Sequence, residues 1–153
     1  MKVPHFLDPC PFKSNEDGQV PLHIEAGYNY SGAVTTDGII YTWGNGNFGR
    51  LGYVDVLRQP VPRQVVELKS QKITKLSLGY YHAAAINDAG VVFSWGRGNS
   101  GQLGCGNVLN EDQVKPVNAL ANHFITDVRC GESHTVALAA DGEVYTWGGG
   151  SMG

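Results

Sequence analysis

Residues 77–104, SLGYYHAAAINDAGVVFSWGRGNSGQLG, decide the fold, because the chain contains this stretch in three versions. The first version is EAGYNYSGAVTTDGIIYTWGNGNFGRLG at 25–52, and the third is RCGESHTVALAADGEVYTWGGGSMG at 129–153. The three versions align without a gap at a spacing of 52 residues. A fixed period of this length is the signature of a repeat protein, and it has to be recognised before any local motif is interpreted.

Tryptophan and glycine keep the period most strictly. All three tryptophans occupy one repeat position, and most of the 21 glycines fall on repeat positions. A buried indole removes a large apolar area from water, so each tryptophan is expected to anchor a core. His82 and His134 share another repeat position, which predicts a buried imidazole bonded to the backbone of the adjoining strand. The residues with an expected structural role are Trp43, Trp95, Trp147, Gly38, Gly90, Gly142, His82 and His134.

The unit of the repeat is predicted to be a small antiparallel sheet. Two apolar runs, 83–86 and 91–95 in the second copy, are too short for helices and rich in strand-forming residues. In the first and third copies the two runs are joined by Asp-Gly, at 37–38 and 141–142, which favours a two-residue type I′ turn. In the second copy they are joined by Ala-Gly at 89–90, which predicts a type II′-like variant. About 25 residues are left in each period for two more strands, and four strands per repeat are typical of a propeller blade.

The sequence therefore predicts an all-β chain, a partial β-propeller of about three four-stranded antiparallel blades. The repeats are assigned to 24–75, 76–127 and a truncated 128–153, and residues 1–23 match poorly and are expected to belong to a preceding blade. A closed propeller needs about four to eight blades. We therefore expect a fragment or arc of a larger ring, or a chain that closes a ring by association with another copy. Uncovered end faces predict self-association.

The motif G-x-G-x-x-G follows each tryptophan and, taken singly, is typical of a nucleotide-binding loop. That use needs a helix behind the loop, and the residues after 49 and 101 predict none. The histidines, cysteines and carboxylates show no metal-ligand spacing. No serine nucleophile has a histidine and an acid placed to activate it. Catalytic residues, cofactors and metals are therefore not expected, and the chain is predicted not to be an enzyme.

Charge and cysteine content limit the kinds of partner. The net charge is −3, with 11 basic and 14 acidic residues and no basic block, so direct nucleic-acid binding and membrane binding are not expected. No run of about 20 apolar residues could span a membrane. Three cysteines without a C-x-x-C pair predict reduced thiols and a cytoplasmic or nuclear location. Cys130 is expected in the core, and Cys105 in an exposed loop.

The repeat resembles that of the regulator of chromosome condensation family. The shared pattern is C/L-G-x-x-H-x-x-A-x-x-x-D-G-x-V-Y-x-W-G-x-G-x-x-G-Q-L-G, and it covers nearly all of residues 24–153. The resemblance implies blades of a seven-bladed propeller. Copy one departs from the pattern, with Tyr30 at the histidine position and Arg50 in place of glutamine.

Function is expected in the loops at one end of the blades, because loops on a rigid scaffold carry binding residues. The leading hypothesis is a protein–protein interaction module, an arc of a scaffold or adaptor propeller. The resemblance implies two alternatives: a guanine-nucleotide exchange factor with a small GTPase as partner, and an accessory propeller domain of a larger ubiquitin ligase or kinase. The candidate partner-binding residues break the repeat and are polar, charged or aromatic: Asn45, Asn47, Phe48, Arg50, Arg97, Asn99 and Ser100.

Overall fold

A computed structural model describes residues 20–150 of the chain and places them in three antiparallel sheets. The first sheet contains β1 (Pro21–Ala26), β2 (Tyr30–Thr35), β3 (Ile40–Asn45) and β4 (Arg58–Gln64). The second contains β5 (Ile73–Leu78), β6 (His82–Asn87), β7 (Val92–Gly96) and β8 (Glu111–Pro116), and the third contains β9 (Ile125–Cys130), β10 (His134–Ala139) and β11 (Val144–Gly148). The predicted all-β fold of antiparallel blades is confirmed. Cys10, Gly153 and most of the 1–23 segment lie outside the described residues.

The strands follow the sequence period. The first strands of the three sheets begin at residues 21, 73 and 125, and the second strands begin at 30, 82 and 134. In each sheet, strands that are consecutive in sequence are hydrogen-bonded neighbours. The assigned repeat starts at 24, 76 and 128 fall inside β1, β5 and β9.

The sheets pack face to face, and this stacking explains the burial pattern. All six residues of β6 are buried, because the first sheet covers one face of the second sheet and the third sheet covers the other. Strand β10 instead alternates between buried and accessible residues. One apolar cluster lies between the first two sheets and includes Ile40, Leu76 and Trp95. A second lies between the last two sheets and includes Ile86 and Ile125.

The three hairpins share one turn that differs from the predicted ones. In the first hairpin, Thr35 N donates to Ile39 O and Gly38 N donates to Thr35 O, both at 2.9 Å. The same bonds recur at 87–91 and 139–143. Gly38 has a φ of +81°, whereas Asp37 is not among the residues with positive φ. The connection is therefore a three-residue loop with a left-handed glycine, and the predicted type I′ and II′ turns are wrong.

The structure explains why glycine recurs in the loops after the tryptophans. A Cβ at Gly46 would collide with the carbonyl oxygen of Val56, and one at Gly98 with that of Leu109. Behind the first of these loops lies only a 3₁₀ turn, Asn47–Gly49, and residues 20–150 contain no α-helix. The loop geometry therefore differs from that of a phosphate-binding loop. Within this part of the chain, no helix has the length and apolarity needed to cross a membrane.

The tryptophans lie at different depths. Trp95 is fully buried, and its Nε1 donates to the backbone oxygen of Arg50 at 3.0 Å. Trp147 is partly buried and donates to Gln102 O at 2.8 Å. Trp43 is also partly buried and lines a groove of about 510 Å³ on the first sheet. The indole hydrogen bonds of Trp95 and Trp147 each join one sheet to a loop of the preceding sheet.

The two histidines of the repeat have different environments. His82 is fully buried, and its Nε2 lies 2.8 Å from the hydroxyl of Thr135, which itself donates to Gln102 O. The imidazole of His82 thus contacts a hydroxyl of the next sheet. Burial, followed by the charge of His134, lowers the pKa of His82 to about 4. His134 is exposed, which corrects the prediction of a buried imidazole, because no further described sheet packs over it.

Candidate functional site

One end of the three sheets is a continuous rim of loops. It contains the loops between the first and second strands of each sheet, at 27–29, 79–81 and 131–133, and the loops that follow β3 and β7. Neighbouring loops are bonded through their backbones, since Tyr28 N donates to Gly79 O and Tyr80 N donates to Gly131 O, both at 3.3 Å. These hydrogen bonds between loops fix the positions of the side chains that the loops carry.

Five side chains form a cluster on this rim, which we call the rim patch: Tyr28, Phe48, Tyr80, Tyr81 and Arg97. The rings of Tyr28 and Tyr80 are stacked with centroids 5.2 Å apart. Phe48 meets Tyr81 edge to face at 5.5 Å. Tyr28, Phe48 and Tyr80 are 50%, 44% and 45% exposed, so the rings contact one another and still face solvent.

Phe48 has an unusual backbone conformation. Its φ is +64° and its ψ is 15°, in the left-handed region that aromatic residues rarely adopt. At the equivalent position of the second repeat, Ser100 does not have a positive φ. Strained residues of this kind persist where the surrounding structure holds them, and they concentrate at functional sites. Phe48 combines this strained backbone with an exposed ring in the rim patch.

Arg97 lies over two of these rings. Its Cζ is 5.1 Å from the centroid of Phe48 and 5.2 Å from that of Tyr81. Both distances are in the range of cation–π attraction. Among the residues described, Arg97 makes no ion pair: the salt bridges there join only His23, Arg129, Glu25 and Asp127. The guanidinium is therefore partly buried without an opposite charge.

Arg50 lies behind the rim patch. It is only 2% exposed, and its guanidinium donates to the carbonyl oxygens of Asn47 at 2.9 Å, Tyr28 at 2.8 Å and Tyr80 at 3.2 Å. Burial lowers its pKa. Its Cζ also lies 4.7 Å from the ring of Tyr81. Arg50 was expected to contact a partner, but its burial makes it a positioning residue that ties the loops of two sheets together.

The other predicted loop residues surround the patch. Asn45 uses its Oδ1 to accept a hydrogen bond from Asn47 N at 2.8 Å, which shapes the loop. Asn47 and Asn99 are exposed, and Ser100 is partly buried, with its N bonded to Gln102 Oε1 at 2.9 Å. Only Phe48 and Arg97 of the seven candidates belong to the rim patch itself.

The sequence analysis missed Tyr28, Tyr80 and Tyr81. A signal was present, because Tyr28 and Tyr80 share one repeat position directly after a repeat glycine. Loops at equivalent positions of stacked sheets lie side by side, so aromatic residues there come into contact. Tyr81 follows Tyr80 and has no counterpart of its kind in the other copies.

A second cluster lies at the opposite end of the sheets. One ligand-type atom from each of His123, Asp141 and Glu143 lies within 4.8 Å of the others, although no such spacing was evident in the sequence. The hydroxyl of Tyr145 donates to Glu143 at 2.6 Å and lies 3.0 Å from His123 Nδ1. This bond to Glu143 raises the pKa of Tyr145 to about 12. The tyrosine hydroxyl thus links His123 and Glu143, and Asp141 Oδ1 accepts a hydrogen bond from Glu143 N at 3.1 Å, so hydrogen bonds account for the grouping.

The environments of the two described cysteines are those of structural residues. Cys105 and Cys130 are both free thiols and both partly buried, so Cys105 is less exposed, and Cys130 less buried, than expected. Burial raises the pKa of the Cys130 thiol to about 12, so it is not a thiolate at neutral pH.

Two family models match the chain. Residues 37–86 and 89–138 match the regulator of chromosome condensation (RCC1) repeat, and a second model of the same description matches residues 73–102 and 125–153. These matches cover most of the chain. It belongs to the RCC1 repeat family. The blades and the 52-residue period are therefore those of RCC1 repeats.

Curated relatives share this RCC1-repeat sequence over a small part of their length. The chain is 38% identical over 141 residues to human E3 ubiquitin-protein ligase HERC2, covering 91% of the chain and 3% of HERC2. It is 36% identical over 151 residues to the Arabidopsis thaliana ultraviolet-B receptor UVR8, covering 90% of the chain and 34% of UVR8. The chain thus spans about a third or less of these relatives.

Solved structures show the same RCC1-type fold. Human WBSCR16 superposes with a TM-score of 0.78 at 19% identity, covering 84% of this chain and 33% of that one. Yeast RCC1 (Prp20), solved bound to Kap60, superposes with a TM-score of 0.74 at 23% identity, covering 84% and 32%. At these identities the likeness shows the fold.

Proposed function

We propose that this RCC1-repeat chain is a protein-interaction module, an arc of a scaffold or adaptor propeller, and that a protein partner docks on the rim patch. One observation carries the proposal: three exposed aromatic rings, Tyr28, Phe48 and Tyr80, share a surface with Arg97, whose guanidinium lies over Phe48 and Tyr81 and has no ion pair among the described residues. Tyrosine and arginine are enriched at the centres of protein interfaces and among the residues that dominate binding energy.

The rim patch is organised before a partner arrives. The backbone bonds between neighbouring loops and the three carbonyl bonds of Arg50 hold Tyr28 and Tyr80 in place. A surface that is already ordered loses little conformational entropy on binding, so more of the contact energy appears as affinity. The strained backbone of Phe48 is consistent with a ring that is kept exposed for contact.

The chemistry of the rim patch favours binding over catalysis. Its five side chains are three tyrosines, a phenylalanine and an arginine. Histidine, cysteine and carboxylates are the usual general bases and nucleophiles, and the patch as defined contains none of them. We therefore propose that the chain acts by contact rather than by catalysing a reaction.

The relatives support an accessory role. The chain resembles segments of two named ubiquitin ligases, human HERC2 and the probable ligase HERC4, of which it covers 3% and 13%. The exchange-factor alternative has weaker support. It rests on the fold likeness to yeast Prp20p, described with its binding to Gsp1p and histones, at 23% identity. We therefore place the adaptor function first.

Site-specific photocrosslinking tests the proposal. A photoreactive phenylalanine is placed at position 80 in the rim patch, or at the exposed position 89 in a hairpin at the opposite end, and each full chain is incubated with extract of its own cells. A discrete adduct is expected from position 80 and should disappear when Phe48→Asn is added. Adducts from position 89 alone, or adducts from position 80 that survive Phe48→Asn, would contradict the rim patch as the docking surface.

A further inference from the structure

We propose that the partner presents a carboxylate side chain, aspartate or glutamate, to Arg97 of the rim patch. This inference rests on the proposed function and specifies the chemistry of the partner at that surface. The chain carries a net charge of −3, and its described ion pairs join Glu25 to His23 and Arg129, and Asp127 to Arg129, so none of them includes Arg97.

The geometry of Arg97 leaves its hydrogen-bonding edge available. Its guanidinium lies over the rings of Phe48 and Tyr81, so the rings contact the planar group at 5.1 and 5.2 Å. Only its backbone N–H is seen to donate within residues 20–150, to Tyr81 O at 2.9 Å. A guanidinium presents its N–H donors as a planar fork that matches the two oxygens of a carboxylate. The contacts with both rings restrict the position of the guanidinium.

A second positive charge lies directly behind the first. Arg50 Cζ lies 4.7 Å from the Tyr81 ring and 5.8 Å from the Phe48 ring, the same two rings that Arg97 covers. Its donors are bonded to backbone carbonyls, which satisfy hydrogen bonds but carry no net negative charge. Two cations on shared rings, one buried and one partly buried, favour an anionic group from outside.

The number of free donors favours a carboxylate over a phosphate. Phosphate groups are typically bound by clusters of arginines or by several backbone N–H groups. Here a single guanidinium is free, since Arg50 is committed to the loops, and aromatic rings flank it. A carboxylate needs one fork, and the neighbouring rings then contact the apolar parts of the same partner segment.

The proposal is tested with three synthetic peptides titrated into the full chain by isothermal calorimetry: acetyl-Trp-Glu-Glu-Trp-amide, its Gln-Gln analogue and its analogue with two phosphoserines. The glutamate peptide is expected to bind at least ~10-fold more tightly than the glutamine peptide, since a charged hydrogen bond accounts for about that ratio. Arg97→Gln should remove the difference. Arg63→Gln is the matched control, because Arg63 also lies over a ring, Tyr53 at 4.6 Å, but on β4.

Each result is decisive for one of the two proposals. Equal affinity for glutamate and glutamine peptides, discrimination that survives Arg97→Gln, no binding of the glutamate peptide, or tighter binding of the phosphoserine peptide would overturn the carboxylate partner. If the unchanged chain binds the glutamate and glutamine peptides equally and Tyr80→Ala abolishes binding of both, the docking surface stands while the carboxylate proposal fails. Arg97→Lys keeps the charge without the fork and should retain part of the discrimination, which guards against misfolding of Arg97→Gln.

Discussion

The indole nitrogen of Trp95 donates a hydrogen bond to the backbone oxygen of Arg50, 3.0 Å away. The guanidinium of the same arginine bonds the carbonyl oxygens of Tyr28 and Tyr80 on the rim. One residue thus links the core between the first two sheets to the rim patch. Stability and binding are therefore expected to respond together to changes at Arg50.

Trp95→Ala should lower the free energy of unfolding by about 3–5 kcal/mol, because it removes a fully buried ring and one end of this bond. Trp43→Ala is the matched control, since Trp43 is partly buried and its indole nitrogen has no partner within residues 20–150, and it should cost clearly less. Urea unfolding followed by circular dichroism measures both. Equal midpoints for the two variants would refute the different depths.

Arg50→Gln should destabilise the chain by about 2 kcal/mol, the size expected when buried carbonyls lose a charged donor. The second copy has glutamine at the equivalent position, Gln102, so this variant introduces a residue that the repeat already uses there. Arg63→Gln, at an exposed arginine over Tyr53, should change stability far less. The urea midpoints of both variants are compared. An unchanged urea midpoint in Arg50→Gln would show that the loops keep their positions without the arginine.

Phe48→Asn should separate stability from binding. Asparagine tolerates a positive φ, so relief of backbone strain should leave the free energy of unfolding unchanged or raise it by up to about 1 kcal/mol. Loss of the ring should weaken partner binding by at least about tenfold, in line with an interface hot spot. Thermal unfolding and affinity are measured on the same preparation. A loss of both stability and binding would assign Phe48 a purely structural role.

Stability should fall as the pH is lowered from about 6.5 to 4, through His82. Its pKa is about 4 in the folded chain and about 6.5 when unfolded, so in this window the unfolded chain binds the extra proton. The loss for this group amounts to about 3 kcal/mol and is absent above neutral pH. In His82→Gln the slope of unfolding free energy against pH should be correspondingly smaller. Parallel slopes would mean that His82 has the same pKa in the folded and unfolded chain.

Much of the fold could be predicted because the determinants are local and repeated. Each hairpin needs a glycine, with φ between +74° and +92°, and each sheet a tryptophan 52 residues from the next, and both are visible in the sequence. The turn type was not predictable in this way, because Asp-Gly suits both a two-residue and a three-residue loop. Likewise, His82 and His134 are the same residue type, and only the packing of another sheet distinguishes them.

The rim patch was only partly predictable. Phe48 and Arg97 were identified because they break the repeat, but their contact depends on two sheets stacking in one register. Tyr28 and Tyr80 obey the repeat and were therefore overlooked, although the period brings them together. The burial of Arg50 follows from the length of its side chain, which reaches across to carbonyls of both sheets, and this reach is invisible in a pattern of residue types.

Hydrogen exchange measured by mass spectrometry tests the docking surface most directly. It is measured on the full chain alone and on the full chain with the protein captured through position 80. Slower exchange is expected at 27–29, 46–50, 79–81 and 96–98, the segments that carry or support the rim patch. Protection confined to the opposite hairpins, at 36–39, 88–91 and 140–143, would contradict it.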